Sequence, residues 1–367
     1  LISGFRAAIV VGMRLLDTDN VPEYLRSCRR IDSEAKVRVE LLSGGISNVV
    51  LRVEPDGVEP GRAEPFVIKQ ARERLRTEAP WFSRLDRIWR EMAVMSAIRP
   101  LLPAGAVPRI LFEDRENYLF AMEAVDRRHV VWKQELLAGR IRPEVALRLA
   151  GYLAAIHGGT HRKPAIEREF DDREVFVQLR VDPFYRHIAA VHPELRAAID
   201  AVVDEMWRTR ACLVHADFSP KNVLLVDSAT GQAGLQVTLV DFETGHYGDP
   251  AFDLGFFLSH LVLKGVRAGK EIDPFLRLAD LFWERYQLET ASLGDDPAFE
   301  PAGLERRTVA NLAGCALARV DGTSPVDYLH SRQRELVRQL CGRVFLDRIE
   351  NLAAVHALAT TLVQHED

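Results

Sequence analysis

Apolar and polar residues alternate with a period of two early in the chain. Val37 to Leu42 and Val49 to Val53 both follow this pattern, and Phe66-Val67-Ile68-Lys69 is a short apolar run closed by a lysine. Such alternation predicts strands with one buried and one outward side. Two further strands are predicted over Val107 to Phe112 and Tyr118 to Met122, with the polar Glu113 to Asn117 turning between them. Helical spacing marks Val21 to Arg29 and Arg84 to Ile98; in the latter, Leu85, Ile88, Trp89, Met92, Met95 and Ser96 share a face. Beyond Arg127 the helical period dominates. Helices are predicted over Pro143 to His157, Glu194 to Arg208, Leu254 to Lys264, Pro274 to Thr290, Leu304 to Ala318 and Arg332 to Leu362. One hairpin interrupts them, with strands Val223 to Val226 and Val237 to Val240 around a turn rich in Asp, Ser, Thr and Gly. The pattern predicts an α+β fold with a small β-rich N-terminal part and a larger helical C-terminal part.

Composition narrows the class. With 367 residues, 47 % hydrophobic and 28 % charged, the chain is globular and long enough for one large or two moderate domains. A net charge of −5 offers no basic surplus for nucleic acid. No apolar run reaches the ~18 residues of a membrane span, and no signal peptide is read at the N-terminus. Met13 is a second candidate start, with the residues before it extraneous on that reading. The four cysteines, Cys28, Cys212, Cys315 and Cys341, are far apart and have no metal-ligand spacing; free thiols in a cytoplasmic protein are expected.

The chemistry concentrates between Leu213 and Gly255. A hairpin brings its two ends together, so Asp217 and Asn222 before the first strand can meet Asp241 and Glu243 after the second. Hard oxygen donors in such a cluster suit Mg²⁺. A further carboxylate can orient a hydroxyl nucleophile and accept its proton. Upstream, Ser43-Gly44-Gly45-Ile46-Ser47-Asn48 joins two strands, as a flap over nucleotide phosphates would. It is neither a Walker A loop nor a Rossmann fingerprint, because no Gly-Lys-Ser/Thr and no strand-to-helix context follow.

The order His215-x-Asp217-x4-Asn222, strand, Asp241, Asp249-Pro-x-x-Asp253-Leu-Gly resembles the catalytic segment of the aminoglycoside phosphotransferase and choline kinase-like family. This family is a small-molecule branch of the protein-kinase fold. The resemblance covers nearly the whole chain from about Val21. It implies a bilobal fold, with a nucleotide-binding lobe over 1–121, a hinge over 122–126 and a helical lobe over 127–367. It further implies ATP and Mg²⁺ as cofactors. Lys69, paired with Glu91, would hold the α- and β-phosphates under a flap of Ser43, Gly44, Gly45, Ser47 and Asn48. Backbone groups of Glu123 and Val125 would meet the adenine edge. Asp217 would be the catalytic residue, and Asn222, Asp241 and Glu243 the metal ligands. His215 and Asp253 would be scaffolding for the catalytic loop. Ala216 stands where many protein kinases have an Arg that meets an activation-loop phosphate, so no activation-loop switch is expected.

Lys69-Gln70-Ala71, Asp241-Phe-Glu243, Gly245-His-Tyr247-Gly248 and Gly314-Cys315 with Arg319 resemble the methylthioribose kinase branch, where an Arg like Arg319 helps hold the sugar. Asn222 and Ala216 depart from that branch, which leaves the acceptor open. The reading is therefore an ATP-dependent small-molecule kinase acting on a hydroxyl of a methylthioribose-like sugar. The alternatives are an aminoglycoside, choline-like or other alcohol phosphotransferase, and a nucleotide-binding pseudokinase or regulatory module. The expected partners are nucleotide and a small-molecule hydroxyl substrate, with no nucleic acid and no membrane. The oligomeric state, a homodimer included, is left open.

Overall fold

The computed structural model describes residues 13–42, 47–55, 64–75, 81–227 and 234–365. The chain divides into two compact units, 1–92 with 109–124, and 93–108 with 125–367. The sequence reading had put 93–108 in the first lobe. These residues instead bond to elements of the second unit: Leu239 N–H donates to Ala106 O at 2.8 Å and Thr238 Oγ1 to Gly105 O at 2.8 Å.

The first unit is one antiparallel sheet of order β1-β2-β3-β5-β4: β1 Val37–Leu41, β2 Asn48–Pro55, β3 Phe66–Ala71, β4 Ile110–Asp114 and β5 Leu119–Glu123. The fourth strand begins at Ile110, three residues later than the apolar pattern predicts. Helix α1 (Val21–Ser27) packs Val21, Tyr24 and Leu25 on the sheet face formed by Val49, Leu51, Val53, Phe66 and Ile68. Because strand side chains alternate, a core on this face turns Lys69 to the other one. Helix α2 (Arg87–Ile98) brings Glu91 to that lysine.

The second unit is mainly helical, with β6 (Val130–Val131), α3 (Trp132–Leu137), α4 (Pro143–Thr160) and α5 (Pro164–Phe170) first in order. Helix α6 (Glu174–Phe176) runs on into a wide-turn π-helical stretch, Val177–Arg186, and then α7 (His187–Val191) and α8 (Arg196–Arg208). The sequence reading missed the π stretch: Pro183 lies inside it and interrupts any ordinary helical pattern. Two small sheets follow. Strand β7 (Cys212–Val214) pairs with β10 (His246–Gly248), and the hairpin β8 (Val223–Asp227) and β9 (Leu235–Leu239) pairs in the predicted place.

Helices α9 (Pro250–Ala268), α10 (Asp273–Thr290), α11 (Pro301–Asp321), α12 (Ser331–Leu346) and α13 (Leu352–Gln364) complete the unit. The single helix expected over Arg332 to Leu362 is thus two. Arg348 adopts φ 52°, and Ile349 N–H turns back to Val344 O at 3.0 Å, which ends α12. Asn351 then caps α13 by accepting from Ala354 N–H at 2.9 Å.

Helix α9 is buried almost throughout and crosses α11 at Gly255. A Cβ at Gly255 would lie 2.5 Å from Asn311 Cβ and 2.7 Å from both Leu312 N and Thr308 O. These are mostly backbone neighbours, which cannot swing aside. Gly255→Ala is expected to lower unfolding free energy by about 1–3 kcal/mol, the range for overpacked cores. Gly151→Ala, in α4 with nothing within 4 Å of the added carbon, should instead raise it by up to about 1 kcal/mol. Urea denaturation of the two variants beside the parent checks the pair; equal shifts in the same direction would refute the packing account.

Candidate active site

The loop after β7 is shaped by one buried carboxylate. Asp253, in the first turn of α9, accepts from His215 N–H and Ala216 N–H, each at 2.7 Å, with one oxygen for each. Its Oδ2 also lies 3.2 Å from His157 Nε2 of α4, whose Nδ1 meets Tyr286 of α10 at 2.8 Å. Asp249, four residues earlier, caps α9 through Ala251 N–H at 2.9 Å and pairs with Arg307 Nε of α11 at 3.0 Å. The Asp-Pro-x-x-Asp-Leu-Gly run is therefore a cap, a loop anchor one turn on, and the glycine that admits α11. With its amide held, Ala216 takes φ 58°, which turns the chain so that Asp217 follows.

Asp217 is 3 % exposed. Its Oδ2 accepts from Asn222 Nδ2 at 2.8 Å and lies 2.9 Å from Lys221 Nζ; Oδ1 is 2.7 Å from Arg180 Nη2. Asn222 Nδ2 also donates to Asp217 O at 2.9 Å, which leaves Asn222 Oδ1 as an acceptor for another group. His215 packs against Phe242 with ring centroids 4.6 Å apart, and its Nδ1 accepts from Asp217 N–H at 3.2 Å. Burial lowers its pKa, against the opposing pull of Asp253, Asp217 and Asp241. Asp253 is held below the usual carboxylate range: burial pushes it up, but its bonds to His157 and to the loop amides outweigh that.

Val240 N–H donates to Asn222 O at 3.1 Å, which brings the end of the hairpin beside Asn222. Asp241 follows with φ 71°, and its carboxylate oxygens come within 4.8 Å of those of Glu243. Two carboxylates this close are hard donors that fit a cation such as Mg²⁺. From Glu243 to Asp253 the chain is a turn, β10 and the start of α9. Thr244 Oγ1 ties the turn to His215 O at 3.1 Å.

In the first unit, Lys69 Nζ lies 2.8 Å from Glu91 Oε1 and 2.7 Å from Oε2, with both side chains nearly inaccessible to water. Ser47 and Asn48 are buried at the start of β2, where fully buried Arg87 donates to Ser47 O at 2.5 Å and to Arg72 O at 2.7 Å. Ser43, Gly44 and Gly45 lie outside the described residues. Glu123 N–H donates to Arg109 O at 2.9 Å and its side chain pairs with Arg109 Nε at 2.8 Å. Val125 opens the second unit. Arg319 sits on α11, its field reaching Asp217.

Arg180 and Arg87 were missed in the sequence. Arg180 belongs to no motif, Arg87 stands in a Leu85-Asp86-Arg87 run read only as a resemblance, and each reaches backbone carbonyls far away in sequence, such as Ala216 O for Arg180 at 2.8 Å. Lys221 lay inside the motif but carried no spacing signal of its own.

A small antiparallel sheet with a buried Lys–Glu pair, and a helical unit with an anchored Asp–Asn loop followed by paired carboxylates, define a kinase-like phosphotransferase. Residues 38–292 match the phosphotransferase enzyme family, and the chain belongs to it. The protein is an ATP-dependent small-molecule kinase that phosphorylates a hydroxyl group. It is 24 % identical to the methylthioribose kinase of Pectobacterium carotovorum subsp. carotovorum over 94 % of this chain and 95 % of that one. It is 25 % identical to the 4-hydroxytryptamine kinase of Psilocybe cubensis over 72 % of this chain and 78 % of that one. Among solved structures, the choline kinase of Cryptosporidium parvum aligns over 95 % of this chain and 94 % of its own, with a TM-score of 0.49 and 12 % identity. Among the described residues no helix is long and apolar enough to cross a membrane.

Asp253→Asn would replace one acceptor oxygen by an amide that faces an N–H donor. The expected loss is about 1–3 kcal/mol of unfolding free energy at neutral pH, the cost of an unsatisfied buried donor. Because the Asp253 pKa is lowered in the fold, its contribution is fully present above the ordinary carboxylate range. It is lost as pH falls through the folded value. Parent and variant should therefore converge in stability on acidification, as read by urea melts from neutral to acid pH; a gap independent of pH would count against the anchor.

Proposed function

We infer that Asp217 orients the acceptor hydroxyl and takes its proton while the hydroxyl oxygen attacks the γ-phosphorus of ATP. The oxygen–phosphorus bond forms, the bond to the β-phosphate oxygen breaks, and ADP leaves. The observation that carries this reading is the fixing of the Asp217 carboxylate by Asn222, Lys221 and Arg180 on a loop pinned by Asp253. A loose phosphoryl-transfer transition state asks for positioning and charge neutralisation more than for a strong base, and this carboxylate is positioned from three sides.

Asn222 Oδ1, Asp241 and Glu243 would hold Mg²⁺, which supplies positive charge against the β- and γ-phosphates. Lys69, oriented by Glu91, would hold the α- and β-phosphates. Ser43 to Asn48 would form the flap above them, and the backbone around Glu123 and Val125 would take the nucleotide base. His215 and Asp253 act as positioning residues. Similarity to a methylthioribose kinase along almost the full length supports a sugar-like hydroxyl as acceptor. Arg180, Lys221 and Arg319 around Asp217 disfavour polycationic acceptors such as aminoglycosides.

Asp217→Ala is expected to lower kcat between about 100- and 10,000-fold, the usual range for a lost general base, while Mg-ATP affinity stays within a few-fold. Asp241→Ala should lose both turnover and Mg-ATP affinity. Isothermal titration of the two variants with Mg-ATP, alongside turnover, checks this; nucleotide binding lost in the first and kept in the second would reverse the roles.

A further inference from the structure

Near Asp217, whose field reaches Arg319, the second unit gathers several positively charged side chains. Lys264 and His260 lie one turn apart on α9, Arg319 is near the end of α11, Lys133 is on α3, and Tyr328 follows α11. Lys264 is only 2 % exposed, and among the described residues its Nζ has a single hydrogen bond, to His260 O of its own helix at 3.1 Å. The Tyr328 ring centroid is 5.5 Å from Lys264 Nζ and 5.6 Å from Lys133 Nζ, so one aromatic ring serves both ammonium groups. Among the described residues, Arg319 Nε, His260 Nε2 and the Tyr328 hydroxyl are buried with no hydrogen-bond partner. Lys133, 37 % exposed, lies 3.9 Å from Asp327, which is 87 % exposed.

The charges act on one another. Burial pushes the Lys264 amine down to about 7, with Lys133 and Arg319 adding to the shift. Burial pushes the His260 imidazole well below its usual range, with Lys264, Arg319, Lys221 and Lys133 contributing. Lys221 is the group that pairs with Asp217, so the cluster is continuous with the acceptor end of the site. Burying cations without counter-ions is costly, and apolar side chains of similar shape would fill this volume at less expense. Aromatic faces offset part of that cost but leave an arginine Nε, a phenol and an imidazole unsatisfied. One kind of ligand satisfies all of them: an anion, which accepts from the ammonium, guanidinium and phenol groups together.

We propose that the acceptor carries a negatively charged group, a carboxylate or a phosphate monoester, besides the hydroxyl that is phosphorylated, and that Lys264, Lys133, Arg319 and the Tyr328 hydroxyl bind it. The proposal rests on Asp217 as the residue that meets the hydroxyl, and it specifies the acceptor's charge. It turns the acceptor away from a neutral sugar and from cationic alcohols.

Four probes on one scaffold isolate charge: glycerol, 3-aminopropane-1,2-diol, glycerate and glycerol 3-phosphate. Each is titrated into the full chain, with and without Mg-ATP. Glycerate and glycerol 3-phosphate are expected to bind about ten-fold or more tightly than glycerol, the difference of a charge-assisted contact, and the amine least. Whichever anion binds better identifies the headgroup. Lys264→Met and Arg319→Met should each weaken the anions about ten-fold or more while glycerol and Mg-ATP binding stay within a few-fold. Lys264→Met should also melt at a higher temperature, because it removes an unpaired buried charge, and this guards against mistaking misfolding for lost binding. Equal binding of glycerol, amine and anions would overturn the proposal, as would anion affinity unchanged in both variants. Loss of Mg-ATP affinity in Lys264→Met or Arg319→Met would also overturn it, by assigning the cations to nucleotide. If the anions fail while Mg-ATP binds, the charge assignment falls and the kinase reading stands; if Mg-ATP itself fails to bind, the kinase reading falls.

Discussion

A single carboxylate, that of Asp253, sets the geometry on which the rest of the second unit's chemistry depends. It sits in a helix first turn, where the free N–H groups favour negative charge. It spends that charge on two amides of a loop nearly forty residues away in sequence. Once those amides are fixed, Ala216 is driven to positive φ and Asp217 emerges with its carboxylate toward Asn222, Lys221 and Arg180. The same helix is seated against α11 by Gly255 and Asp249, through contact at one and an ion pair at the other. Displacing α9 would thus move the loop, and with it the carboxylate that faces the acceptor. Packing and site geometry are one constraint here.

The first unit solves a different problem in the same currency of burial. Lys69 and Glu91 are both almost fully enclosed, and an enclosed ion pair survives only when the geometry is close and further bonds satisfy it. Strand alternation gives Lys69 its face, the α1 core on the opposite face locks the register, and α2 supplies the glutamate. Arg87 then ties α2 to the start of β2 through Ser47 O, next to the segment read as the phosphate flap.

Much of this was legible in the sequence because the informative features are local. Period-two strands, the hairpin at Val223 to Val240, and the spacing of Asp217, Asn222 and Asp241 all lie within short windows. The Lys69–Glu91 pair could be named because strand and helix were each clear and the family resemblance joined them. What escaped depends on distance in sequence. Arg180 reaches Ala216 O from a π-helical stretch containing Pro183, which no periodicity announces. Residues 93–98 continue a helix begun in the first unit, while Gly105 and Ala106 bond to β9, so packing divides the chain at other points than the strands alone suggest. The break between α12 and α13 rests on one left-handed residue, Arg348, of a type that rarely signals a stop.

The surroundings of Asp217 bear on how such a site works. A carboxylate in contact with Arg180 and Lys221 and bonded by Asn222 has little freedom to rotate. That is a good arrangement for fixing the direction from which a hydroxyl approaches. In phosphoryl transfer the nucleophile's proton is lost late, so direction matters more than basicity. The two cations then serve a second purpose. If Asp217 takes the hydroxyl proton as proposed, its negative charge is discharged, and Arg180 and Lys221 would be released to face the charge that builds on the transferred group. On this view the carboxylate and its cations form one unit, in which neutralising the first frees the others, and Arg180, absent from every motif, belongs to the chemistry as much as Asp217 does.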